Sequence, residues 1–131
     1  MEYRTALITG AGSGMGAAIA RNLAEAGLRV ALVGRDPAKL EHTRDEMGTH
    51  AEQALIAPCD VTDRDAVATI VDQVREAFKT IEILVCNAGV NVLKRSLSQI
   101  SPEDWDRTIA TNLTGAFNMV HAVLPLMRSQ G

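Results

Sequence analysis

The chain has 131 residues, a length that suits one domain able to bury about two-thirds of its unfolded surface. It is 47% apolar and 22% charged, its net charge of −3 gives no reason to expect a nucleic-acid partner, and no apolar run approaches the roughly 20 residues that span a bilayer. Because residues 1–4 lead directly into an apolar run and leave no room for a signal peptide, we expect a cytoplasmic protein with no membrane partner.

The first half of the chain alternates short apolar runs with longer helical patterns. Strands are predicted over residues 5–9, 29–33 and 54–57. A helix is predicted over residues 14–26 and should end at Gly27. The side chains expected on its inner face are Met15, Ile19 and Leu23. A second helix is predicted from Pro37 to about Met47, with Leu40 and Met47 facing the core.

The second half continues the same alternation. Thr62 is the predicted cap of a third helix, with Asp65 in its first turn. The expected buried face of that helix is Val67, Ile70, Val71, Val74 and Phe78. A fourth strand is predicted over residues 83–86, and a last helical pattern, capped by Ser101, runs to about Arg128. This alternation predicts an α/β fold, a parallel sheet with helices on both faces.

Two cysteines follow or end predicted strands, Cys59 after the third and Cys86 on the fourth. If the strands follow the order 3-2-1-4 of doubly wound dinucleotide-binding sheets, the two cysteines lie three strand spacings apart, roughly 14 Å, whereas a disulfide needs Cα atoms within about 7 Å. Both thiols are therefore predicted to be free. The histidines, His42, His50 and His121, show no metal-ligand spacing, so no metal site is predicted.

The stretch "TGAGSGMG", from Thr9 to Gly16, places four glycines at every second position between the first strand and the first helix. A glycine-rich turn that opens a helix presents backbone N–H groups and the helix dipole to an anion, which predicts a phosphate ligand. An ATPase-type loop would end in lysine and a hydroxyl residue. Here Gly16 is followed by two alanines, which favours a dinucleotide instead.

The end of the second strand bears on the choice of dinucleotide. Gly34 occupies the position where an acidic residue would bind free ribose hydroxyls, and Arg35 follows it. The guanidinium of Arg35 suits a 2′-phosphate, so NADP is favoured and NAD stays possible. Two roles are open for Asp36, which can cap the next helix or bind the ribose itself.

Four motifs in order resemble those of the short-chain dehydrogenases/reductases, and the resemblance covers the chain from its first strand to Gly131. "TGAGSGMG" is similar to the glycine loop of that family, "CDVTD" to its third-strand ending and "NLTGAF" to its interface helix. "CNAG" resembles the Asn-Asn-Ala-Gly after the fourth strand, although Cys86 departs from the first Asn. The resemblance implies a Rossmann-like fold, a doubly wound parallel sheet with the strand order 3-2-1-4.

The resemblance also implies roles for individual residues. Those expected around the cofactor phosphates are Gly10, Ser13, Gly14, Met15 and Gly16. Asp60 and Val61 are expected to contact the adenine, and the nicotinamide-side ribose is expected to contact Asn87, Ala88 and Gly89. Asn112 is implied as a member of the catalytic set. Its apolar helix neighbours are expected to bury it in part: Ile109, Leu113, Ala116 and Phe117.

The activity implied is hydride transfer between a nicotinamide cofactor and a carbonyl or alcohol substrate, as in 3-oxoacyl or related ketone reductases. In the resembled family a Tyr-x-x-x-Lys pair transfers the proton, yet Tyr3 is the only tyrosine of this chain. We therefore expect residues 1–131 to be a dinucleotide-binding domain that stops before the fifth strand and is inactive alone. The alternative is a catalytically silent nucleotide-binding or scaffold module. A homo-oligomer is expected through the helix from Asn112 to Arg128.

Overall fold

The computed structural model describes residues 3–131. Its strands are β1 (Thr5–Thr9), β2 (Arg29–Gly34), β3 (Ala54–Pro58) and β4 (Ile83–Val85). Its α-helices are α1 (Gly14–Glu25), α2 (Pro37–Asp45), α3 (Arg64–Phe78), α4 (Pro102–Ile109) and α5 (Gly115–Gln130). A 3₁₀ helix (Gly48–Gln53) precedes β3, and a π-helical segment (Ala110–Thr114) joins α4 to α5.

The sheet has the order β3-β2-β1-β4, and every neighbouring pair is parallel. Ala6 lies opposite both Val30 of β2 and Ile83 of β4, which fixes the register at the centre of the sheet. The predicted α/β fold, the Rossmann-like topology and the strand order are confirmed.

Helices cover both faces of the sheet. Successive side chains of a strand point to opposite faces, so each strand contributes to two apolar layers. Leu7, Ala31 and Val33 pack in one apolar layer with α3 and α5. Ala6, Ile8, Val30 and Leu32 lie on the other face, in a layer with α1 and α2. The middle positions of the two central strands, residues 6–8 and 30–33, are therefore all apolar and buried.

Helix α1 uses a different inner face from the one predicted. Its buried residues are Gly16, Ala17, Ala20 and Ala24. Met15 is 72% exposed, so its predicted place on the inner face was wrong, whereas Ile19 and Leu23 are partly buried and pack against the core. The small side chains let the helix axis lie close to the sheet, and the larger apolar residues are displaced to the flank of the contact.

Gly27 ends the helix α1 as predicted. Its φ is +94°, a left-handed conformation that favours glycine. The N–H of Gly27 donates to the carbonyl of Ala24 at 2.9 Å, and that of Leu28 donates to Leu23 at 3.0 Å. These bonds satisfy two of the carbonyls that a helix end leaves without partners.

Two predicted boundaries in the stretch of chain from β3 to β4 need correction. The cap of α3 is Asp63, whose carboxylate accepts from the N–H groups of Asp65 and Ala66, each at 3.1 Å. Thr62 is not the cap, because its own hydroxyl donates to Asp60 at 2.8 Å. Strand β4 ends at Val85, so Cys86 lies beyond the strand rather than in it.

Other parts of the predicted core are confirmed. Helix α3 buries the predicted apolar face, and Leu40 and Met47 are buried even though α2 itself stops at Asp45. Cys59 is buried and Cys86 is exposed, and both are free thiols, as predicted.

The last helical pattern is divided into three segments rather than forming one uniform helix. Ser101 caps α4 as predicted, since its hydroxyl accepts from the N–H of Asp104 at 3.1 Å. The π-helical turn then inserts between α4 and α5. Such turns are rare and frequently occur at functional sites. Asn112 lies in this segment.

Candidate functional site

A cavity of about 180 Å³ opens at the carboxyl edge of the sheet. Its walls come from the loops that follow all four strands and from Thr111 of the π-helical segment. Strand order reverses here, between β1 and β4, and this is the place where doubly wound folds bind their ligands.

The glycine loop after β1 packs tightly against the loop after β4. A Cβ added to Gly10, whose φ is +65°, would lie 2.9 Å from the Nδ2 of Asn87. A Cβ added to Gly16 would lie 2.1 Å from the carbonyl oxygen of Gly10. Gly16 therefore allows α1 to start directly against the end of β1, and no larger residue fits there.

Two further glycines keep the cavity open beside α2. A Cβ on Gly12 would lie 3.0 Å from the Cβ of Lys39, and a Cβ on Gly34 would lie 3.1 Å from the Cδ2 of Leu40. The bare backbone at both positions forms a cradle that side chains would fill. This arrangement fits the close approach of a dinucleotide to the first βα turn.

One end of the cavity carries two cationic side chains, Arg35 and Lys39. Neither of them forms an ion pair within residues 3–131. Asp36 also lines this end, and its carboxylate accepts from the N–H of Ala38 at 3.0 Å. Of the two roles open for Asp36 from the sequence, the structure shows the helix cap.

The turn after β3 forms another wall. The carboxylate of Asp60 accepts from the backbone N–H of Thr62 at 2.9 Å and from its hydroxyl at 2.8 Å. These bonds, with the backbone bond the largest cause and a smaller contribution from Arg35, hold the pKa of Asp60 below its usual value. Val61 is buried and lines the cavity.

The loop after β4 is fixed by a residue that the sequence did not single out, Thr9. Its buried hydroxyl accepts from the N–H groups of Asn87 and Ala88, both at 2.9 Å, and donates to the carbonyl of Val85 at 3.4 Å. The last residue of β1 thus holds the residues predicted to contact the ribose. Its position at the end of the strand, before the glycines, was the available signal.

Asn112 reaches the same loop from the other side. Its Oδ1 accepts from the N–H of Val90 at 2.7 Å, and its Nδ2 donates to the carbonyl of Val90 at 3.0 Å. The expected partial burial was wrong, because Asn112 is exposed, as are Ile109 at 37%, Leu113 at 64% and Phe117 at 55%. These apolar neighbours face away from the two core layers.

The structure brings much of the predicted site together, while some predicted residues lie behind the cavity wall. Predicted residues that line it are Gly10, Ser13, Arg35, Asp60, Val61, Ala88 and Gly89. Gly14 and Met15 are exposed at the start of α1, and Gly16 and Asn87 pack behind the glycine loop. Residues of the wall that were not predicted include Gly12, Gly34, Lys39, Val90 and Thr111.

Within residues 3–131 no three His, Cys, Asp or Glu side chains are grouped so that they could hold a metal ion. None of the helices in this part of the chain has the length and apolarity needed to cross a membrane.

The chain resembles curated oxidoreductases over nearly all of its length. It is 38% identical to sulfoacetaldehyde reductase 2 of Chromohalobacter salexigens over 95% of this chain and 49% of that protein. It is 37% identical to a D-beta-hydroxybutyrate dehydrogenase of Rhizobium meliloti over 98% of this chain and 50% of that protein. The chain therefore spans about half the length of these relatives.

Solved structures show the same likeness in three dimensions. A metagenomic short-chain oxidoreductase in complex with NADP superposes with a TM-score of 0.89 at 36% identity, covering 97% of this chain and 57% of that one. A 3-ketoacyl-ACP reductase from Sinorhizobium meliloti also gives 0.89, at 37% identity over 97% of this chain and 50% of that one. The family model for short chain dehydrogenase matches residues 4–131, and the chain belongs to this family.

Proposed function

We propose that the chain is the cofactor-binding part of an NADP-preferring oxidoreductase that transfers a hydride between the nicotinamide and a carbonyl or alcohol substrate. The observation that carries the proposal is the cavity at the carboxyl edge of the sheet, with a glycine cradle in its wall and, at one end, two cations that form no ion pair within residues 3–131. When bound, the nicotinamide ring supplies or accepts the hydride.

The proposed division of the cavity follows the chemistry of its walls. The glycine loop, at the N-terminus of α1, suits the pyrophosphate, because backbone N–H groups and the helix dipole favour negative charge there. Asp60 and Val61 suit the adenine, and Ala88 and Gly89 suit the nicotinamide-side ribose. Asn112 has the role of holding Val90, next to the ribose contacts, in a fixed position.

Preference for NADP is supported by Arg35 and Lys39, which place two positive charges where an adenosine 2′-phosphate would lie. Asp36 is the residue that would favour the free ribose of NAD, but its carboxylate already caps α2. One solved relative is described with NADP, and a 3-ketoacyl reductase from Brucella melitensis is described with NADH. NAD is therefore the alternative cofactor.

The proposed substrate class is a 3-oxoacyl compound or a related ketone or aldehyde. It rests on the names of relatives, which include a 3-ketoacyl-ACP reductase, a 3-dehydrosphinganine reductase and a D-beta-hydroxybutyrate dehydrogenase. These names share a reaction at the carbonyl or hydroxyl carbon rather than one particular substrate.

We also propose that residues 1–131 bind and orient the cofactor without transferring the proton. Tyr3, the only tyrosine of the chain, lies before the amino end of β1, whereas the cavity lies beyond the carboxyl end of that strand. A phenol at the opposite edge of the sheet does not reach the substrate. If a longer protein carries no such phenol either, the alternative of a catalytically silent nucleotide-binding module applies. The cytoplasmic location of the protein stays a prediction.

Calorimetric titration with NADP⁺ and NAD⁺ tests cofactor binding, and NADPH oxidation with 3-oxoacyl thioesters, simple ketones and aldehydes tests turnover. We expect NADP⁺ to bind more tightly than NAD⁺, and turnover to require residues beyond this chain. Failure to bind either dinucleotide would contradict the proposal. Turnover by residues 1–131 alone would contradict the proposed division between cofactor binding and proton transfer.

Self-association through α5 is proposed as well. This helix buries Met119 and Val123 against the sheet, while Phe117, Val120 and Leu124 are exposed on another side. A helix that is apolar on two sides has more apolar surface than one contact with its own sheet requires. A second copy of the chain is the proposed occupant of the exposed side.

A further inference from the structure

Asn118 is a buried amide on the core side of α5, and it is only 4% exposed. Its neighbour Met119 is completely buried. Asparagine is a poor residue for a helix interior, and a buried amide is costly unless it is hydrogen-bonded. Neither local helix propensity nor apolar packing therefore explains Asn118.

Both ends of this amide have partners far away in the chain. The Nδ2 of Asn118 donates to the backbone carbonyl of Val61 at 2.9 Å. Its Oδ1 accepts from the Nε of Arg64 at 3.2 Å. Because a guanidinium only donates and a carbonyl only accepts, this pair of partners determines which way the amide faces. Asn118 thus connects α5 to the turn after β3 and to the first residue of α3.

The partner of this amide, Val61, belongs to the cavity wall, whereas Asn118 does not. Val61 is also held by close packing, since a Cβ on Gly115 would lie 2.4 Å from its Cγ2. On either side of it in sequence, Asp60 and Thr62 are hydrogen-bonded to each other. In the same short turn, the backbone carbonyl of Val61 accepts from Asn118, which lies 57 residues further along the chain.

We propose that Asn118 is a positioning residue for the adenine end of the cofactor, acting through the backbone of Val61. The inference rests on the proposed function, because it takes the wall formed by Asp60 and Val61 as the adenine wall. Loss of the bond from Asn118 frees the Val61 peptide to shift away from the cavity. It leaves the distant contacts of Asn112 with Val90 intact.

The variant Asn118→Asp keeps an acceptor for Arg64 and removes the donor to Val61. The neutral variant Asn118→Leu removes the same donor without adding charge. We expect either change to weaken binding of 2′,5′-ADP, a probe for the adenosine end, by about three- to tenfold, the equivalent of one hydrogen bond. Binding of nicotinamide mononucleotide, which lacks the adenosine, should stay unchanged.

The matched control is Asn22→Asp, because the Nδ2 of Asn22 donates to the carbonyl of Ala18 at 2.9 Å on the exposed side of α1. It should leave the affinity for both probes unchanged. A merely structural role for Asn118 predicts equal loss of both probes, and that result, or an unchanged affinity for 2′,5′-ADP, would overturn the inference.

If neither Asn118 variant folds, Arg64→Met tests the same connection from an exposed side chain. It removes the N–H donor that orients the amide, and we expect a loss of about twofold that is again confined to 2′,5′-ADP. Equal affinity for 2′,5′-ADP in Arg64→Met and wild type would overturn the inference. A wild-type protein that binds NADP⁺ shows that such a result concerns Asn118 alone, whereas a wild type that binds neither probe nor NADP⁺ overturns the proposed function itself.

Discussion

Asn112 holds Val90 by both polar atoms of its backbone, accepting from the N–H at 2.7 Å and donating to the carbonyl at 3.0 Å. The pairing resembles one rung of a sheet, with a side-chain amide in place of a strand. It fixes the loop after β4 to the π-helical segment. The loop therefore carries the residues proposed to contact the ribose between two supports, Thr9 on one side and Asn112 on the other.

Replacing Asn112 by alanine should loosen this loop with little effect on the global fold. Because Asn112 is exposed, we expect the free energy of unfolding to fall by no more than about 1 kcal/mol. The amide of Val90 should exchange its hydrogen about fivefold faster, as measured by NMR. Asn91→Ala is the control, since the side-chain Oδ1 of Asn91 accepts from the N–H of the neighbouring Val92 at 2.9 Å. Unchanged exchange at Val90 would contradict the supporting role.

Gly16→Ala should destabilise the protein strongly. The added Cβ would lie 2.1 Å from the Gly10 carbonyl oxygen and 2.5 Å from the Nδ2 of Asn87, so backbone must move. We expect a loss of about 3 kcal/mol or more in urea unfolding. Gly48→Ala is the matched control, because Gly48 has a φ of +56° with nothing within 4 Å of the added atom, and it should cost only about 1 kcal/mol. Gly16 itself has no positive φ, so losses no larger than that of Gly48→Ala would contradict the close packing inferred for Gly16.

Arg35→Ala should weaken NADP⁺ binding selectively. Loss of charge-assisted bonds to a 2′-phosphate corresponds to about a ten- to hundredfold rise in Kd, whereas NAD⁺ should bind nearly as before. Titration calorimetry with both cofactors measures the difference. The control, Arg75→Ala, removes an arginine from the last turn of α3, where it pairs with Asp72 at 3.4 Å. Equal weakening for the two cofactors would mean that Arg35 has a structural role and that Asp36 contacts the ribose.

The thiol of Cys59 should be unreactive while the protein is folded. Burial, followed by the charges of Asp60 and Asp63, raises its pKa to about 11 from 9.0. A rise of this size lowers the thiolate fraction about a hundredfold at pH 8, and alkylation by iodoacetamide should slow at least as much relative to the protein in urea. Exposed Cys86 provides the internal comparison. Equal rates for Cys59 in the folded and unfolded protein would contradict this prediction.

The same shift has a consequence for stability. The folded state favours the neutral thiol, so the contribution of Cys59 is complete below the ordinary thiol pKa of 9.0. Above that pH the unfolded chain releases the proton first, and the contribution falls as the pH rises toward 11. The difference in unfolding free energy between wild type and Cys59→Ala should therefore shrink over this range.

Phe117→Glu should reduce self-association. The Phe117 ring is half-exposed and stacks on His121 at 5.4 Å between centroids, in the apolar side of α5 proposed to contact a second copy. A buried carboxylate without a partner in that contact is costly. Sedimentation should show a shift to monomer. The control Gln73→Glu, on the exposed face of α3, should leave the proportions of monomer and oligomer unchanged. A wild-type protein that is monomeric at every concentration would contradict the proposed contact.

The sequence alone determined the strands, the parallel two-sided sheet and the position of the glycine loop, and these features depend on local patterns. The strand order 3-2-1-4 was expected from the resemblance of four motifs to a known family. Continuous apolar runs require burial on both faces, and a glycine-rich turn between strand and helix places backbone N–H groups at the sheet edge. Single-residue signals such as Ser101 before Pro102 also act within one helical turn, and the structure confirms this cap.

Only the tertiary structure decided which residues support the site from behind. Thr9 contacts residues 78 and 79 positions later, and Asn118 contacts Val61 from 57 positions away. The π-helical segment has the same apolar spacing in sequence as the helices on either side, so periodicity does not reveal it. Periodicity also misplaced Met15 on the inner face of α1. The short distance between this helix and the sheet favours alanine there. Local propensity acts over a few residues, whereas these choices depend on what the fold brings into contact.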